Sequence, residues 1–230
     1  MPASAALGAV VAAAIPFVLV GNAVLVGMQP WIVDAVYAVP GVPDDPLGLA
    51  GAARERLATL GVRAVRPFDA GVGLLRDARL PDGAPAFTAR ELRHMQDVRD
   101  LVGVILRAWA VALAAGLAAG LALHRRAGGA AVARAVRRGA RATLALGALL
   151  GLGLLVAFDP VFEAFHGLFF AGDSWRFADE RTLRRLYPDA FWAVAGCLLA
   201  VIVAAQAVAL ARPLRPRRRR RDGGQRAPAA

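Results

Sequence analysis

Four apolar stretches, at about 5–28, 101–123, 142–158 and 191–211, constrain this chain more than any other feature. A bilayer core about 30 Å thick takes roughly 20 residues of helix at a rise of about 1.5 Å each. Hydrocarbon accepts only helices or closed barrels, because every backbone polar group must be satisfied within the protein. Hydrophobic residues make up 58% of the 230 residues and mean hydropathy is +0.51, outside the range of ordinary soluble domains. The third stretch is the shortest and borrows residues from its neighbours. The first lacks a basic leading region and is long for a signal peptide, so it reads as a retained span. The expected fold is all-α and integral to a membrane, with four transmembrane helices.

Arginine sets the expected orientation. All 28 basic residues are Arg. The connection 124–141 carries six Arg and no acid, and 212–230 carries eight Arg against Asp222 alone. Residues 31–100 and 159–190 instead hold nine and four Arg against ten and six acids. The positive-inside rule puts both termini and 124–141 in the cytoplasm and the outer segments 29–100 and 159–190 on the other side. Trp31 and Trp192 agree, each standing where a span meets the outer interface, and Trp109 falls in the outer half of the second span. Arg217–Arg221 does not argue for nucleic acid. Juxtamembrane arginines meet anionic lipid, and no nucleic-acid partner is expected. Cys197 lies inside the fourth apolar stretch and supports neither a disulfide nor a Cys-based metal site. The inner parts of the spans carry few polar residues beyond Asn22, Thr143 and Gln206, too few for a channel or transport pathway.

The chain divides into one membrane domain, 1–212, and a disordered Arg-rich cytoplasmic tail, 213–230. An extracytoplasmic cap is expected mainly from the loop after the first helix. Within it, 29–48 is turn-rich, 49–61 has the pattern of a short amphipathic helix, and 62–87 is irregular, with short strands near Val62–Val65. Thr88 with Glu91 three residues later reads as a capping box. The helix it starts runs through His94 into the second span. On that helix Glu91 and Asp97 are both neighbours of His94 at a spacing of three, so either carboxylate can orient the imidazole. Asp159, Glu163 and His166 share a face if the helix continues past Pro160, which tends to break or begin a helix. His124, beside Arg125 and Arg126, reads as interfacial.

Two histidines therefore fall on one side of the membrane, and histidine exchanges protons near neutral pH. Their surroundings resemble a known family. Glu91-Leu92-Arg93-His94-Met95-Gln96-Asp97-Val98 is similar to the E-x-x-H-M-x-D-V motif of the bacterial lipoprotein intramolecular transacylases. Phe165-His166-Gly167-Leu168-Phe169-Phe170, followed by Trp175, Phe177 and Leu186-Tyr187-Pro188, is similar to that family's second motif. The likeness in residues covers about 87–101 and 158–192. One departure is Ala178 directly after Phe177, where an acid is usual, with Asp179 following.

The resemblance implies an acyltransferase of the bacterial cytoplasmic membrane. Its substrate is a diacylated lipoprotein in the outer leaflet, and its other partner is membrane lipid. An acyl chain moves from the diacylglyceryl ester to the α-amino group of the N-terminal cysteine, leaving the lyso form. The ammonium must lose a proton, the departing glycerol oxygen must gain one, and the tetrahedral oxyanion must be stabilised. His94, oriented by Glu91 or Asp97, is the expected base and His166 the acid or oxyanion donor, with the reversed assignment as the alternative. Phe162, Phe165, Phe169, Phe170 and Trp175 are the expected substrate-binding residues. The reaction calls for no cofactor and no metal. Two other readings compete. One is a non-catalytic scaffold or receptor. The other is a metal-dependent hydrolase with Asp97, Asp159 or Glu163 beside the histidines, although no recognisable zinc spacing is present.

Overall fold

A computed structural model describes residues 2–49 and 51–213; the expected tail lies almost wholly outside them. Within them the chain is helical, without named strands: α1 (Pro2–Gly27), α2 (Trp31–Tyr37), α3 (Gly51–Val65), α4 (Gly73–Arg76), α5 (Ala89–Val156), α6 (Phe158–Phe169), α7 (Thr182–Leu186) and α8 (Asp189–Ala211). Three of these, α1, α5 and α8, are long and apolar enough to cross a membrane.

The 68-residue α5 is two arms joined at Gly128, whose φ of 76° and ψ of 170° suit glycine alone. The connection 124–141 is thus helical on both sides of one glycine, because its Ala and Arg residues are strong helix formers. The third apolar stretch belongs to an arm starting at residue 129, and its borrowed residues come from the arginine-bearing side.

Packing fixes the directions of these rods. Along α1, Gly8 faces Leu123, Ala14 faces Gly116 and Gly21 faces Trp109, so the first arm of α5 runs antiparallel to α1. Gly139 packs directly on Ala12 and Ile15, and Leu19 clusters with Ala140 and Ala207. Small residues let helix backbones approach closely where hydrocarbon supplies no hydrophobic driving force. A polar chain links three rods: Trp109 Nε1 donates to Asn22 (3.1 Å), and Asn22 donates to Gln206 (2.9 Å). Asn22 and Gln206 thus satisfy each other, while Thr143 Oγ1 donates to the Gly139 carbonyl of its own helix (3.0 Å). The N-terminal half of α1, the Gly128 turn and the end of α8 lie together, leaving the starts of α5 and α8 at the opposite end.

That opposite end carries a second core. Val33 and Val36 of α2, Leu57 and Ala58 of α3, Leu75 of α4 and Leu186 of α7 pack against Met95 of α5 and Phe191 of α8. Residues 62–65 belong to α3 rather than to strands, and this helix outruns its expected end at Gly61. Tyr187 explains why glycine stands at 61: its hydroxyl donates to the Ala58 carbonyl at 2.7 Å, and a Cβ on Gly61 would lie 2.2 Å from that oxygen. The Arg99 guanidinium binds the carbonyls of Ala64, Arg66, Pro67 and Asp69, closing the C-terminal end of α3 with a cation. Buried Asp45 pairs with Arg185 at 2.8 Å, tying the turn-rich segment to α7.

Candidate functional site

Thr88 starts α5 with a full capping box. Glu91 is almost wholly buried, and its carboxylate accepts from Thr88 N (2.8 Å), Thr88 Oγ1 (2.7 Å) and Leu183 N (2.9 Å). Thr182 Oγ1 also donates to the Ala86 carbonyl. Glu91 therefore staples the first turn of α5 to α7. The buried Nδ1 of His94 has no hydrogen-bond partner, so neither Glu91 nor Asp97 orients the imidazole through that nitrogen. Asp97 is exposed.

His94 stands one turn further on, half-buried, with its ring edge-on to Phe170 (5.1 Å between centroids) and Phe177 (5.4 Å). The helix carrying the second histidine begins afresh. Ala157 breaks the chain out of helical geometry, and α6 restarts with Pro160 in its first turn, where a missing N–H costs nothing. Asp159, Glu163 and His166 thus share one helix, but Glu163 pairs with Arg176 (3.2 Å). His166 lies in the last turn, its Nδ1 2.8 Å from the Phe162 carbonyl. A carbonyl only accepts, so neutral His166 carries its hydrogen on Nδ1 and its lone pair on Nε2. Its ring is flanked by Phe162 (4.1 Å), Trp175 (4.5 Å), Phe165 (5.3 Å) and Phe170 (5.6 Å).

Phe170, the residue after α6, abuts both imidazoles and joins them in one aromatic pocket. Burial pulls His94 down to about 4, and the positive charge of a protonated His166 adds to the effect. Burial also lowers His166, partly offset by its bond to the Phe162 carbonyl, which favours the protonated ring. Both are neutral at pH 7, the form able to accept a proton. Of the other expected residues, Phe162, Phe170 and Trp175 wall the pocket, whereas Phe165 and Phe169 are about half exposed on the outer face of α6.

Residues 171–181 complete the site. Arg90 donates to the Asp173 carbonyl and covers the Phe177 ring, and Arg176 covers the Trp175 ring at 4.9 Å. The Ser174 hydroxyl and the Trp175 indole N–H are buried without partners. Sequence reasoning gave no role to Arg90, Ser174 or Arg176, and no pattern marks them. Phe177 was visible in the second motif but not its place against His94. A cavity of about 770 Å³ adjoins the pocket, lined by Asp97, Leu101, Val104, Phe169, Phe170 and Ser174 among others. No group of three or more His, Cys, Asp or Glu able to hold a metal ion occurs among the described residues.

The family model of the lipoprotein intramolecular transacylase Lit matches residues 77–192, half of the chain and all of this site. The chain belongs to the Lit family. It is a lipoprotein intramolecular transacylase, a membrane acyltransferase. Its sequence is also 28% identical over 194 residues to an uncharacterized protein of Aquifex aeolicus strain VF5, covering 77% of this chain and 78% of that one. Its fold matches the membrane-integral Lit of Bacillus cereus with a TM-score of 0.69 at 18% identity, over 90% of this chain and 92% of that one. A form of the same Bacillus protein with a histidine-to-arginine substitution gives 0.71, also at 18% identity, over 90% and 88%.

Proposed function

We propose that this Lit protein moves an acyl chain from the diacylglyceryl ester of a bacterial lipoprotein to the α-amino group of its N-terminal cysteine. The products are an amide and a free glycerol hydroxyl, the lyso form. The observation that carries this reading is the pair of imidazoles meeting at Phe170 in an aromatic pocket. The arrangement of α1, the two arms of α5 and α8 fits four spans with both termini cytoplasmic. The histidines then face the outer leaflet, under a cap built by α2, α3, α4 and α7.

The ammonium first gives one proton to water. The amine nitrogen then attacks the ester carbon, and the carbonyl π pair moves onto oxygen. His166 Nε2, which bears the lone pair, takes the proton that the nitrogen sheds. As the pair returns and the C–O bond to glycerol breaks, the departing oxygen takes that proton from the His166 imidazolium, directly or relayed through His94. This geometry favours His166 as base, the reverse of the first expectation. Phe162, Phe170 and Trp175 hold the reacting ester, while Phe165, Phe169 and the neighbouring cavity accommodate acyl chains. Asp97, which lines the cavity wall, meets the ammonium on this reading. Donor and acceptor belong to one molecule, so holding them together supplies much of the rate.

The test is mass spectrometry of the N-terminal peptide of a diacylated lipoprotein, incubated in lipid with wild-type protein, His94→Ala or His166→Ala. An unchanged total mass with an acyl group relocated to the α-amine, lost in both variants, is expected. Relocation by the wild type that persists in both variants would remove the histidines from the mechanism.

A further inference from the structure

Among the described residues four buried polar side-chain atoms have no hydrogen-bond partner: Asp69 Oδ2, His94 Nδ1, Ser174 Oγ and Trp175 Nε1. Asp69 is compensated by Arg66 and Arg63 at 3.5 and 3.7 Å. The other three lie around the histidines: Trp175 flanks His166, Ser174 directly precedes Trp175 in the chain, and His94 meets His166 across Phe170. Folded proteins satisfy nearly all such atoms, so three together mark a place where a ligand's polar atoms belong.

We propose that the Trp175 indole N–H and the Ser174 hydroxyl are the donors that hold the oxyanion of the tetrahedral intermediate. This rests on the acyl-transfer reading given above. When the amine attacks, the carbonyl π pair moves onto oxygen, which becomes negative in an apolar pocket. The donors bind that oxygen without covalent change, and the pair returns as the bond to glycerol breaks.

Three donors near the pocket are already committed elsewhere. His166 Nδ1 is bonded to Phe162, and its Nε2 handles the proton. The guanidiniums of Arg90 and Arg99 are engaged on backbone carbonyls. Packing does not explain Trp175 either. A phenyl ring would stack on His166 and Phe162 without a buried, unbonded N–H. The indole is also held still. Arg176 covers it while pairing with Glu163, and Arg90 fixes the carbonyl of Asp173 just before Ser174. Ser174 N closes a turn onto the Ala171 carbonyl at 3.4 Å, through Gly172 at a φ of 55°. Donors fixed before reaction are what an oxyanion requires, since they need not reorganise as charge develops.

The experiment measures turnover of a diacylated lipoprotein in lipid by wild type, Trp175→Phe, Ser174→Ala and Ser174→Thr, with thermal melting and kcat against pH for each. Trp175→Phe keeps an aromatic ring beside His166 and deletes only the donor. Removing one oxyanion donor costs roughly 10²–10³ in kcat. Expected are losses of about that size in Trp175→Phe and Ser174→Ala, with KM, melting temperature and the pH limb of the histidines unmoved, and recovery in Ser174→Thr. Wild-type rates in both Trp175→Phe and Ser174→Ala would overturn the donors alone. A displaced pH limb in Trp175→Phe would overturn them too, since it assigns the ring to tuning His166. An acyl adduct on Ser174 would make that residue a nucleophile instead. Absence of turnover by the wild type would sink the transfer reading itself.

Discussion

Replacing Glu91 by alanine separates two ideas of what this carboxylate does. In the structure it is 1% exposed and accepts from Thr88 N, Thr88 Oγ1 and Leu183 N, holding α5 to α7. Hydrogen bonds to a charged group contribute about 1.5–3 kcal/mol each, and an abandoned buried donor costs about 1–3 kcal/mol. Leu183 N is buried and stays unpaired in the variant, while the Thr88 groups are part-buried and regain water. The three bonds are not additive, so Glu91→Ala is expected to cost about 3–5 kcal/mol, similar to breaking a buried ion pair. At roughly 2–4 °C per kcal/mol for a chain of this size, the melting temperature falls by about 6–20 °C. Glu91→Gln keeps the volume and one acceptor oxygen, and loses less. Both lower kcat, because the segment bearing Trp175 and Phe177 loosens, yet neither moves the pH limb of the histidines. The assay is thermal unfolding in lipid with acyl transfer at several pH values. An unchanged melting temperature with a displaced pH limb would refute the staple and return Glu91 to His94.

Gly139→Ala puts a Cβ 2.4 Å from the Ala12 carbonyl oxygen and 2.7 Å from Ile15 Cβ. It is expected to push α1 off the second arm of α5 at a cost of about 1–3 kcal/mol, read by thermal melting. His94, held at about 4, and His166, also lowered, take up their protons at lower pH than an ordinary histidine. The acid limb of kcat is therefore expected below 6.5, measured as turnover against pH. The unfolded chain takes up protons before the folded one does, so stability is full above 6.5 and declines as pH falls through 6.5 towards 4.

The features legible in the sequence are those fixed by nearby residues. The capping box depends on four consecutive positions, so Thr88 and Glu91 announced the start of α5. The apolar stretches and alternating arginine content placed both histidines at one end of the helical rods. What escaped were long-range partnerships. Glu91 spends its second oxygen on Leu183, 92 residues away, and spacing on one helix could only suggest His94. Val62–Val65 looked strand-like because β-branched valine favours strands, but Tyr187 and Arg99 hold that end of α3 as helix. Ser174 lay in no motif, and its meaning comes only from being buried without a partner beside Trp175.

The aromatic pocket also bears on why an enzyme of this kind transfers rather than hydrolyses. Water at the ester would compete with the amine for the same carbon. Phe162, Phe170, Trp175 and Phe177 crowd the two imidazoles, and the burial that lowers both histidines limits the access of water. A base kept neutral, an excluded competitor and an intramolecular amine act together, since a tethered nucleophile reaches effective concentrations of about 10⁵ M or more. The same dryness penalises a developing oxyanion. On this reading the pocket works only if something inside it can donate to that oxygen, and two donors stand there unpaired, on Ser174 and Trp175.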